Sequence, residues 1–129
     1  MAHTSVRHGS LLLVLVACLG MTGCAAALVG AGAVIGYAVS RDRVDLTVER
    51  PYPAVWSTCL EEAKRFGLLK EADQAAGRIE VLNQGTHVTL TLERLSETTV
   101  KIIFKARKNL LPKIDVAQRL ATQLARKLS

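Results

Sequence analysis

Few side chains in this chain could act as nucleophiles or bases. The three cysteines are Cys18, Cys24 and Cys59, and after Cys24 the sole imidazole is His87. A thiol attacks as its thiolate, and an imidazole works as a base only within reach of a proton to take. Cys59 has no such partner near it in sequence and falls on the apolar side of a predicted helix, so it reads as a buried structural thiol. His87 falls on the wet side of a predicted strand, where it is solvated. Glu61 and Glu62 are adjacent and diverge on a helix, so they form no carboxylate pair. No His, Cys, Asp and Glu cluster has metal-ligand spacing. The glycine-rich tract from Gly30 to Gly36 lacks the strand, Lys and Ser/Thr of a phosphate loop. The chain is therefore predicted to be no enzyme, with no catalytic residue and no metal site.

The remaining signal is charge. Lys101, Lys105, Arg107, Lys108 and Lys113 gather around the last predicted strand and its exit, and form the candidate patch for an anionic partner. Lipid headgroups, acidic glycan or nucleic acid carry the matching charge. The plainer reading is a solvated strand whose lysines block edge-to-edge pairing.

The segment that would position all of this lies at the start. Met1 to Ser10 carries Arg7, His3 and His8 and no acid. Leu11 to Leu19 is continuously apolar, and Gly20 to Gly23 is small or flexible apart from Met21. That order is the order of a secretory signal peptide. Met21-Thr22-Gly23-Cys24 resembles the lipobox of bacterial lipoprotein precursors, with Met21 in place of the usual Leu. The resemblance implies cleavage between Gly23 and Cys24, a diacylglyceryl group on the Cys24 sulfur, and acylation of its new amino group. Those covalent chains are the only cofactor implied. Ala25 lacks the Asp that keeps many such proteins in the inner membrane. In a host with two membranes this implies the outer membrane, facing the periplasm, with the inner membrane as the alternative. A second reading is an uncleaved single span from Leu11 to Val39, because about 20 apolar residues cross a bilayer.

Three regions follow: residues 1–23 as signal peptide, 24–40 as lipidated Cys with an apolar Gly/Ala-rich tether, and 41–129 as a folded domain. Gly32 and Gly36 would let two tether helices approach closely, which is a weak route to self-association. Tyr37 suits a membrane–water boundary. The whole chain has 129 residues and a formal charge of +6, and its 50% hydrophobic content is inflated by the leader. The domain is small and its core thin.

Periodicity orders the domain. Val44 to Glu49 alternates as a half-buried strand. From Pro53 to Phe66, Val55, Trp56, Cys59, Leu60, Ala63 and Phe66 share one helical face, with Glu61, Glu62, Lys64 and Arg65 opposite. Gly67 stops the helix, and Leu68 to Glu71 starts a short strand. Gly77 to Asn83, Thr86 to Leu95 and Thr98 to Arg107 alternate as an antiparallel meander with one wet face, where Gln84-Gly85 and Ser96-Glu97 turn the chain. Asn109 to Pro112 is a connector, and Pro112 opens a second helix with Ile114, Ala117, Leu120, Ala121, Leu124 and Leu128 inward. The predicted fold is α+β: a two-layer sandwich, a mainly antiparallel sheet with both helices on one face, preceded by the N-terminal signal or anchor helix.

The leader with Cys24, Gly36-Tyr37-Ala38, Tyr52-Pro53 with Val55-Trp56, and Gly77-Arg78-Ile79 together resemble a family of small bacterial lipoproteins of unknown function. The resemblance implies an exported, anchored domain and brings no activity. The expected function is a membrane-anchored envelope lipoprotein that serves as a protein-interaction or structural module. Its partners are membrane lipid through Cys24 and an unknown envelope protein, and not nucleic acid. The alternative is a small apolar-ligand or lipid-binding module with a cavity between Trp56 and Phe104.

Overall fold

Strands with one apolar face need a cover, and two amphipathic helices supply it. The computed structural model describes residues 34–129. Its strands are β1 (Val34–Val39), β2 (Val44–Val48), β3 (Leu68–Asp73), β4 (Arg78–Asn83), β5 (Thr86–Arg94), β6 (Val100–Lys108) and β7 (Leu111–Pro112). Helix α1 (Tyr52–Phe66) lies between β2 and β3 in sequence, and α2 (Ile114–Leu128) ends the chain. The sheet has seven strands in the order β1-β2-β6-β5-β4-β3, with β7 added to β6. Every pairing is antiparallel.

Register sorts the side chains. Val44, Leu46 and Val48 of β2 pair with Phe104, Ile102 and Val100 of β6, which pair in turn with Leu90, Leu92 and Arg94 of β5. Leu90 and Val88 continue the row into Ile79 and Val81 of β4. These apolar residues are buried under the helices. Helix α1 lies over β3 and β4, α2 lies over β2 and β6, and the helices touch each other. Val55, Trp56, Cys59 and Ala63 of α1 and Ala117, Leu120, Ala121, Leu124 and Leu128 of α2 close the core. A fully buried Leu or Phe contributes about 2 kcal/mol, so this layer holds the fold together. The α+β class, the antiparallel sheet and its two helices match the sequence pattern. The signal helix, Gly23, Cys24 and Gly32 lie outside the described residues.

Four local expectations change. Val34–Val39 forms the outer strand β1 instead of a tether. Its Val, Ile and Tyr favour extended backbone, which outweighs the Ala/Gly character of the run. Gly36 therefore sits in a strand opposite Thr47, not on a helix face with Gly32, and an apolar helix reaching Val39 does not form. Pro112 does not open α2; Leu111 and Pro112 turn back and pair with Lys108 and Arg107, so Lys113 precedes the helix. Val116 joins the buried face of α2. Glu62 is buried at 7% exposure, where its carboxylate meets Arg65 Nη1 at 3.0 Å and Lys127 Nζ of α2 at 4.0 Å.

Helix ends are tied to distant chain. Arg50 Nε donates to the Leu128 carbonyl at 2.7 Å, satisfying one orphan acceptor at the end of α2. Gly67 ends α1 in extended backbone, and a Cβ there would meet the Leu82 carbonyl oxygen at 2.3 Å. The glycine is needed for this close approach and not for a left-handed turn.

Candidate functional site

The sheet face away from the helices is built from alternate residues of β2, β4, β5 and β6. Across it run Asp45, Ile103, Thr91 and Arg78 in one row, and Lys105, Thr89 and Glu80 in the next. Arg107, His87 and Leu82 form a third row, and Thr47, Lys101 and Glu93 a fourth. A groove of about 510 Å³ lies here, lined by Arg43, Arg78, His87, Thr89, Thr91, Glu93, Ile103, Lys105 and Arg107. Ile103 points to this face as its alternation requires, yet its neighbours bury it.

Charge on this face is partly neutralised. One oxygen of Asp45 forms an ion pair with Lys101 Nζ at 3.4 Å, and its other oxygen faces Arg43 Nε at 3.5 Å without a hydrogen bond. Arg78 pairs with Glu80. Lys105 and Arg107 have no carboxylate within 4.0 Å among the described residues. The predicted patch thus divides. Lys101, Lys105 and Arg107 share the open face, with Lys101 occupied by Asp45. Lys108 turns to the other face, where its Nζ lies 3.4 Å from the Gln84 carbonyl, and Lys113 stands half-buried before α2.

A larger cleft, about 760 Å³, opens at Tyr52, Pro53, Leu92, Arg94 and the Gln74–Gly77 turn. Tyr52 OH donates to the Gln74 carbonyl at 3.0 Å, and its ring stacks on Trp56 with centres 6.4 Å apart. Burial raises the Tyr52 hydroxyl pKa, and the Arg94 charge partly opposes that. Sequence reasoning placed Tyr52-Pro53 at a helix start but had no signal bringing residues 74–77 and 94 to it. Neither cleft is lined by Trp56 or Phe104, which are packed in the core.

The sequence predicts a connector over Asn109 to Pro112, where the structure has the tip of the β6–β7 hairpin. Asn109 and Leu110 both have positive φ, 51° and 67°, as a two-residue type I′ turn requires. Gly85 fills the second position of the neighbouring turn; here the residue is Leu110, and holding it left-handed costs about 1 kcal/mol. Leu110 is also 88% exposed and Leu111 65%.

Acid–base chemistry has little to work with. Cys59 is fully buried, and burial pushes its thiol up to about 12. A thiol so raised is not a nucleophile at neutral pH. His87 is exposed opposite Arg107 and Leu82. Among the described residues no group of three or more His, Cys, Asp and Glu could hold a metal ion, and no helix is long and apolar enough to cross a membrane. No protein-family model matches the chain, and no curated protein matches it.

Proposed function

We propose that this chain is a bacterial envelope lipoprotein, anchored in the membrane through Cys24, whose α+β domain is a non-enzymatic interaction or structural module on the extracytoplasmic side. The observation that carries the reading is Met21-Thr22-Gly23-Cys24 at the close of an uninterrupted apolar run, shortly before the chain enters β1. The likeness to small bacterial lipoproteins points the same way, and Ala25 favours the outer membrane, facing the periplasm. The open sheet face supports the interaction role, because Lys105 and Arg107 line a groove there with no acidic partner among the described residues. An anionic segment of an envelope protein would meet that charge. The test is the intact mass of membrane-extracted protein beside a Cys24→Ala form. A mass of residues 24–129 plus acyl chains, absent from the variant, is expected. A mass that retains residues 1–23 and carries no acyl chain refutes lipidation and makes the chain a spanning protein.

A further inference from the structure

Exposed large hydrophobic residues are not spread evenly. Among the described residues they are Ile35, Tyr37, Val39, Leu68, Leu95, Leu110 and Leu111, and all but Leu68 and Leu95 fall on one flank of the sheet. Arg107 pairs with His87 of β5 on one side and with Pro112 of β7 on the other, so β7 extends from β6 on the side of β2 and β1. Val39 is level with Val44 and Phe104, and Leu111 is level with Lys108, four residues further along β6. Leu111 therefore lies about 13 Å beyond Val39 along the strands and about one strand spacing across. Register also puts Tyr37, Val39 and Leu111 on the same side of the sheet, through Leu46, Val44 and Lys108.

Cations frame this apolar line. Arg41 and Arg43 stand in the β1–β2 turn with Asp42, and Lys108 and Lys113 flank the hairpin. Arg41, Lys108 and Lys113 have no acidic partner within 4.0 Å among the described residues. The opposite edge strand, β3, carries Lys70, Glu71 and Asp73, whereas β1 carries no charge at all. The strained, exposed Leu110 gains nothing inside the domain for its left-handed backbone. Backbone strain of this kind points to a functional contact.

We propose that this flank docks on a lipid bilayer rich in anionic headgroups. Leu110 and Leu111 enter the boundary between headgroups and acyl chains, and Arg41, Lys108 and Lys113 meet the phosphates. Side chains projecting from a turn, with cations around them that lack an acidic partner among the described residues, fit a deformable anionic surface. The chain also enters the domain along this edge, through Val34 at the start of β1. Val34 is level with Val48 and Val100, at the other end of β6 from Leu111, so the tether must leave room for the tip to reach the bilayer. The inference rests on the membrane-anchored reading for how the domain reaches the bilayer. Insertion is shallow, because the backbone edge of β1, unpaired among the described residues, keeps water and headgroups as hydrogen-bond partners.

The test uses full-length protein with Leu110→Trp in proteoliposomes, either phosphatidylcholine alone or its equimolar mixture with phosphatidylglycerol. The parent, with buried Trp56, supplies the background emission. The extra emission should be quenched by lipid brominated near the headgroup more than by lipid brominated near the chain end. The quenching should fall at least about threefold without phosphatidylglycerol, and equally when Lys108→Glu and Lys113→Glu are added. Emission open to aqueous acrylamide and untouched by either bromolipid overturns the proposal. Protection that grows with protein density and ignores lipid type also overturns it, and assigns the flank to a second copy. Flotation of the parent separates the two readings: a parent that does not float with vesicles sinks the anchor as well, while a floating parent with exposed Trp at 110 sinks only the docking.

Discussion

Leu110 stands in the β6–β7 turn where Gly85 stands in the β4–β5 turn, both at positive φ and joined through Lys108, whose ammonium reaches the Gln84 carbonyl. The two hairpins sit side by side, so one is a control for the other. Leu110→Gly should stabilise the domain by about 0.5 kcal/mol, the relief of left-handed strain less the added freedom of the unfolded chain. Urea unfolding reads this directly, and a loss of stability would show that Leu110 packs within the domain after all.

The Cys59 thiol carries a pH dependence whose sign is fixed. Its pKa rises from 9.0 unfolded to about 12 in the fold, through burial. Above 9.0 the unfolded chain gives up this proton while the folded chain keeps it. The contribution is complete below 9.0 and is lost as pH climbs toward about 12, at up to about 1.4 kcal/mol per pH unit. Cys59→Ala lacks this slope. The stability gap between native and Cys59→Ala protein should therefore narrow as pH rises past 9.0; a constant gap in alkaline urea titrations would refute the assignment.

Arg50 and the Leu128 carbonyl close the end of α2 at 2.7 Å. Arg50→Ala should cost about 1 kcal/mol, and it should speed amide exchange in the last turn of α2 more than in α1. Uniform acceleration in both helices would mean that Arg50 acts on the whole core instead.

Lys105 and Arg107 are exposed, so reversing both should leave the melting temperature nearly unchanged. The same double change to Glu should abolish retention of an anionic envelope partner that the native chain holds. Equal retention by both forms would move the interaction surface away from the open face.

What was legible in the sequence followed from long, regular periodicity. The β4–β5–β6 meander and both helices announce themselves through runs such as Thr86–Arg94 and Ile114–Leu128. β1 was hidden because Gly36 and Ala38 dilute a short extended run that a long apolar context made look helical. The hairpin was hidden because Asn109-Leu110 lacks the Asn-Gly signature of its turn, and Pro112 suggested a helix start. Glu62 belongs to a polar helical stripe by spacing, yet α2 happens to pack across it. Lys101, Lys105 and Arg107 were correctly placed on one face by alternation alone, while the Asp45 that occupies Lys101 comes from a distant strand.

The pairing of β2 with β6 sets the order in which the domain can be completed. Leu46 and Ile102 are paired neighbours although α1 and the strands β3, β4 and β5 separate them in sequence. The local β4–β5–β6 hairpins can form early, since their loops are short and cheap in entropy to close. β1 and β2 must wait for β6, and α2, which covers β2 and β6, follows every described strand in sequence. A chain delivered from its N-terminus thus leaves the β2–β6 face uncovered until α2 has been added.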